Sequence, residues 1–437
     1  MERRTFLKIL SSAGIVSLVS PTFAMEVCKN KVSKSSSALL ESAFRNPPFS
    51  SGVYTWWHWM NGNITKDGIT RDLEAMKANG IAGYQLFEAG SGIPIGPVES
   101  LSDEWVDLIL HTLKESERLG LEFAMHNCPG WSSSGGPWIT PDKAMQIITW
   151  SETKITGGKQ VRIQLPTPKH MFDYYIDTYC LAIPANMKVI PRLSILELSN
   201  RLDKDGVLTW DIPAGEWLIM RFGQTAKDQK NKSAPSKSTG LDCDKFSTEA
   251  LDYHLNCMFK RLMPTMEKIA KHSKIGLLID SYETGDQDWT SDMPAYFEQS
   301  NGYELYPFLP VLANKIVESE ESTKRFLFDF RRVRADMFAE RYYGHFQKRC
   351  KEKGIITYTE PYGGNMMEEL QVAQQLDINM GEFWCGQTVL WANYKYNRTV
   401  KQVASIAHTL GGKVVGAEAF TSEPDADKWL QYPYALK

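Results

Sequence analysis

The chain contains no C-x-x-C pair and no G-x-S-x-G elbow. The first absence argues against zinc-ribbon and thioredoxin-like chemistry, the second against a serine-nucleophile hydrolase. The seven cysteines are odd in number and irregularly spaced, so most are expected to act as small buried hydrophobes. Charge of either sign is scarcely in excess. A formal net charge of -3 gives no reason to expect nucleic acid or an anionic membrane surface as partner. Past the first 24 residues no apolar run is long enough to span a bilayer, so no membrane anchor is expected in a mature chain.

With 43% hydrophobic and 23% charged residues, the composition suits a soluble globular protein rather than a disordered one. The 13 tryptophans and 18 tyrosines offer flat faces with polar edges, which suit sugar rings and protein cores alike. At the N-terminus, Arg3 and Arg4 precede an apolar stretch from Ile9 to Val19, with Thr22-Phe23-Ala24 as a cleavage site. Residues 1–24 therefore read as a signal peptide. Its paired arginines fit a twin-arginine signal, and an ordinary Sec signal equally. Both predict a periplasmic or secreted bacterial protein.

Strands and helices alternate over residues 45–144. An aromatic-rich strand (Gly52 to Trp59) leads to a helix capped by Thr65, with Ile69, Leu73 and Met76 on one face. Further units follow. Ile81 to Phe87 ends in Glu88, and a Ser102-capped helix closes at Gly120 before the strand Leu121 to Met125, which ends in His126-Asn127. Residues 145–226 break the rhythm with alternating strand patterns and predict an inserted β-sandwich-like subdomain. The Lys- and Ser-rich stretch Lys227 to Thr239 reads as a linker or mobile loop. Alternation resumes over 240–437. About seven strand–helix units predict an α/β fold of the TIM-type (β/α)8 barrel class, incomplete at the C-terminus because Lys437 falls where an eighth strand should begin.

What terminates the strands carries the chemistry. Asp280 and Glu283, Glu360, Glu382 and Glu418 each follow an apolar strand. In a barrel such ends converge on one face, where crowding and partial desolvation push carboxyl pKa values apart. Glycoside hydrolysis needs that separation: one carboxyl protonated for the leaving oxygen, another ionised to activate water or attack the sugar. An oxygen-only set also suits a hard cation such as calcium. Two aromatic segments, Trp56-Trp57-His58-Trp59 and Asn127-Cys128-Pro129-Gly130-Trp131, are candidates to line a sugar site. Cys128 with His126 as a nucleophilic pair is the weaker reading, because nothing in the sequence orients the two.

Four segments together resemble glycoside hydrolase family 106, the α-L-rhamnosidases. They are Tyr54 to Asn63, Asn127 to Thr140, Asp280 to Glu283, and Val415 to Glu418. The resemblance implies a (β/α)8 barrel with β-rich accessory modules and inverting, calcium-dependent removal of terminal α-L-rhamnosyl units from polysaccharides or glycosides. It implies Glu283 as general acid, Glu418 as the base activating water, and Glu382 assisting calcium. Trp57, His58, Asn127, Trp131, Asp280 and Glu360 are expected to contact the carbohydrate. Rival readings are a truncated, non-catalytic carbohydrate-binding remnant and a related glycosidase of different sugar specificity.

Overall fold

The computed structural model describes residues 34–384, 390–412 and 414–421; the expected signal peptide lies outside them. The chain enters a parallel sheet at β1 (Val53–Met60) and crosses through α1 (Lys66–Ala78) to β2 (Ile81–Ala89). It continues through α2 (Asp103–Leu119) to β3 (Glu122–His126). After an excursion come α3 (Thr248–Phe259) and α4 (Met263–Ala270), then β10 (Ile275–Ile279), α5 (Glu320–Met337) and β11 (Ile356–Thr359). The last elements are β12 (Ile378–Trp384), α6 (Leu390–Leu410) and β13 (Gly416–Thr421). The seven strands lie in the order β1-β2-β3-β10-β11-β12-β13, every pair parallel.

The helix termini follow the sequence closely. Thr65 Oγ1 accepts the Gly68 amide, and Ser102 Oγ accepts the Trp105 amide. Asp103 and Glu104 occupy the first turn of α2, where the helix dipole favours them. Gly120 ends that helix at φ 67°, a conformation glycine adopts without strain. Trp105, Leu108, Ile109 and Leu113 form the buried face of α2, each contributing about 2 kcal/mol of apolar burial. The helical stretch from Ser247 breaks between Phe259 and Met263, just ahead of Pro264, which sits in the first turn of α4.

The excursion between β3 and β10 contains β4 (Gln146–Thr156), β5 (Lys159–Gln164), β6 (Ile176–Pro184), β7 (Leu196–Glu197), β8 (Val207–Ile212) and β9 (Glu216–Ala226). These form an antiparallel sheet β4-β9-β6-β7 and a pair β8-β5. Leu208, Trp210 and Ile212 from the pair bury against Cys180, Ala182 and Ile219 from the sheet.

Two expectations change. The stretch Lys227 to Thr239 is no free linker. Asn231 is buried, donating to the carbonyls of Pro129 and Ser238 and accepting the Gly240 amide, which folds the segment onto the loop after β3. The apolar run Val414 to Ala417 reads as the last strand, but the strand runs from Gly416 to Thr421, because its pairing with β12 starts at Met380↔Gly416. Cys128, Cys180, Cys243, Cys257 and Cys350 are free thiols, all but Cys257 buried. No helix among the described residues is long and apolar enough to cross a membrane.

Candidate active site

Side chains alternate across a strand, so residues two apart share a face. Leu278, Tyr358 and Met380 pack with Phe87 and Ala124 on the inner face of the curled sheet. Two residues further along their strands stand Asp280, Glu360 and Glu382. Glu418 joins them, since it lies opposite Glu382 in the β12–β13 register. The periodicity that builds the apolar inner layer therefore places four acids directly above it.

Three of these acids meet. A carboxylate oxygen from each of Asp280, Glu360 and Glu418 lies within 4.8 Å of the others. Asp280 and Glu360 are buried and Glu418 is half-buried. Burial holds the Asp280 carboxyl well above its ordinary range, a hydrogen bond with Glu360 partly offsets this, and the charges of Glu418 and Glu283 add to it. Burial, then Asp280 and Glu418, push Glu360 up in the same way. Burial raises Glu418 to about 7, with Glu382 reinforcing the shift. Asp280 Oδ1 and Glu360 Oε1 find no donor from the rest of the protein. Buried, crowded oxygens without donors fit a hard divalent cation, which would satisfy both atoms and neutralise the cluster.

The surroundings orient this cluster. His126 Nε2 accepts the Asp280 amide at 3.3 Å, while Nδ1 faces the Cys128 carbonyl at 3.0 Å. Burial keeps the imidazole neutral, with its pKa pushed down to about 4. Tyr362 donates its phenol to Glu360 Oε2, and its carbonyl accepts the Tyr282 amide at 2.9 Å. This clasp needs Gly363, because a Cβ there, at φ 100°, would stand 2.3 Å from the Tyr282 carbonyl oxygen. Sequence reasoning missed both positioning residues. The signal for Tyr362 was the Pro361 and Gly363-Gly364 turn directly after an acid-tipped strand.

Glu283 stands apart from the cluster in exposure. Its side chain reaches solvent, its amide donates to the Ser132 carbonyl, and Ser281 Oγ lies 3.4 Å from its carboxylate. Among the expected sugar contacts, His58 is exposed on the inner side, its ring 5.6 Å from Phe87. Trp131 is half-buried against the same inner cluster.

Two of the expected contacts are corrected by the structure. Trp57 has the opposite strand parity and points into the layer between sheet and helices. Its Nε1 donates to Asp72 of α1, and its ring meets Tyr84 edge-on. Asn127 is completely buried. It donates to the carbonyls of Ser133 and Leu278 and accepts from the Ser134 hydroxyl, leaving nothing for a ligand. It anchors the loop after β3, together with Tyr342, whose hydroxyl bonds Ser133 and Ser134. The Cys128 thiol is buried and held protonated, which removes the nucleophile reading.

Glu382 lies beside Glu418 in register, but the trio whose oxygens converge contains Glu360 in its place.

The chain is similar to known proteins over most of its length. A protein of Formosa agariphila named "Putative beta-glucuronidase" is 40% identical over 429 residues, covering 91% of the chain. The chain spans only 36% of that relative's length. The rhamnosidase structure from Novosphingobium sp. PP1Y shares the fold, with a TM-score of 0.78 at 24% identity over 87% of the chain and 53% of its own. The α-L-rhamnosidase family profile matches residues 45–177 and 168–437. The chain belongs to the α-L-rhamnosidase family of glycoside hydrolases.

Proposed function

We propose that this chain carries the catalytic centre of an exported glycosidase that removes terminal α-L-rhamnosyl units by inversion, assisted by calcium. One observation carries the reading: Asp280, Glu360 and Glu418 converge at the strand ends, with Glu283 beside them and open to solvent. A glycosidase must divide its carboxyls between protonated and ionised states, and these four stand in different environments.

In this reading Glu283 protonates the departing glycosidic oxygen, for which its solvent-facing position leaves room. Asp280 and Glu360 are the residues that would hold the cation, with their free oxygens as donors, and Glu382, opposite Glu418 in register, would assist. Bound there, calcium would supply positive charge for binding sugar hydroxyls and would favour ionised neighbours. Glu418 is the base that takes a proton from water. Burial opposes its ionisation in the bare protein, with the charges of Glu382 and Glu283 adding to it, so positive charge brought nearby would favour the competent base. His126 holds the Asp280 backbone amide and Tyr362 the Glu360 carboxylate.

The test is release of rhamnose from an α-L-rhamnosyl disaccharide by the purified chain, with and without calcium. Release that stops on chelation and resumes with calcium supports the reading. Unchanged release after exhaustive chelation would remove the metal from it. The name of the Formosa agariphila relative favours one second reading, a uronoside as substrate, and a glucuronide in the same assay distinguishes the two.

A further inference from the structure

The Lys-rich stretch remains unused by this chemistry, yet it is fastened to the site. From Lys227 to Thr239 it carries four lysines against one aspartate, in a chain whose net charge is -3. Its backbone runs along the loop after β3. Lys232 donates its amide to Ser132 Oγ at 2.9 Å, and Trp131 donates to the Lys232 carbonyl. The two loops press so closely that a Cβ on Gly130 would stand 1.9 Å from the Lys232 oxygen. Ser132 in turn accepts the Glu283 amide. Lys232 is thus linked through one residue to the candidate acid.

Lys227 approaches from the other side. Its ammonium donates to the Asp286 carbonyl and lies beside Gly285, two residues past Glu283. Neither Lys227, Lys232 nor Lys237 forms an ion pair among the described residues, although the field of Lys227 reaches Asp288. Lys230 alone has an acid near, Asp228 at 3.9 Å. A cation held by a backbone carbonyl, as Lys227 is, or exposed without an ion pair, as Lys232 is, keeps its charge available to a ligand.

We propose that Lys227 and Lys232 form a subsite for an anionic sugar, bearing a carboxylate or a sulfate, on the leaving-group side of the bond to be cut. The side follows from Glu283: groups flanking the acid that serves the leaving oxygen face the sugar that departs. That placement rests on the function proposed above; the preference for negative charge does not.

The experiment is a binding titration of the full chain with three probes: galacturonate trisaccharide, a sulfated galactotriose and neutral galactotriose. At low ionic strength at least one anionic probe binds roughly fivefold tighter than the neutral one, and about 0.3 M salt erodes the advantage by screening. Combining Lys227→Gln with Lys232→Gln removes the advantage, whereas Lys260→Gln, at the end of α3, leaves it intact. Which anionic probe gains identifies carboxylate or sulfate as the ligand. Equal binding of all three probes, or an advantage that survives both rim substitutions, overturns the proposal. If the double variant unfolds, the salt response of the unaltered chain decides. Charge preference without glycoside hydrolysis would sink the catalytic reading and leave this one standing; hydrolysis without charge preference would do the reverse.

Discussion

Replacing Asn127 with alanine separates a scaffold role from a sugar-binding one. The amide makes three internal hydrogen bonds, to Ser133, Leu278 and Ser134. The abandoned groups are not left wholly orphaned. The Leu278 carbonyl keeps the Asn127 backbone amide, the Ser133 carbonyl keeps the Cys128 thiol, and the Ser134 hydroxyl keeps Tyr342. The loss is therefore three net hydrogen bonds at about 1 kcal/mol each, or about 3 kcal/mol in all. With an unfolding entropy of about 2 cal/mol/K per residue, a chain of this size loses roughly 3–4 °C of thermal midpoint. Thermal unfolding followed by circular dichroism measures this directly. An unchanged midpoint with a raised KM would refute the scaffold assignment and return Asn127 to the sugar site.

Glu283→Gln should lower kcat on a natural rhamnoside by about 100-fold or more, since general acid help is worth that much, while aryl substrates with good leaving groups lose far less. Near-normal turnover of the natural substrate would remove Glu283 from the acid role. Lys245→Met should cost about 3–5 kcal/mol, because it strands Asp242 in a fully buried ion pair, and adding Asp242→Asn should recover much of this in a urea melt. A double variant no more stable than the single one would contradict that account. In chelator, stability should fall as pH rises. Glu418 has a folded pKa of about 7, above its unfolded value, so its contribution is complete below about 4.5 and lost on passing 7. Calcium should flatten the fall, and a chelated protein whose midpoint rises over that window would contradict the crowding of the cluster. His58→Ala and Trp131→Ala should raise KM, whereas Trp57→Phe should act on thermal stability alone; a KM effect confined to Trp57 would reverse the facing of β1.

The fold was legible where local rules are strong. Thr65 and Ser102 announce helix starts, Gly120 a helix end, and the run Ile275–Ile279 a strand buried on both faces. The acids were legible for a related reason: each stands at the end of an apolar run, and a period of two fixes the face it takes. The same period assigns Trp57 to the helix side once His58 is known to face inward, but sequence gives only alternation, not which parity is inner. Asn127, Tyr362 and His126 were harder. Asn127 and His126 act through Leu278 and Asp280, and Tyr362 through Tyr282 as well as the nearby Glu360; partners so distant in sequence leave no local pattern. The stretch after Lys227 misled through composition. Its lysines and serines suit a solvated linker, and the buried Asn231 that folds it reads as one more polar residue.

The central claim is hydrolysis with inversion at a carboxylate cluster, and the anomer first released tests it most directly. Proton NMR of an aryl α-L-rhamnoside digest, begun within the first minutes, resolves the two anomers before mutarotation mixes them. The account predicts β-L-rhamnose first in the presence of calcium. Initial release of α-L-rhamnose would contradict it, and so would the absence of any released sugar from the folded, calcium-loaded chain.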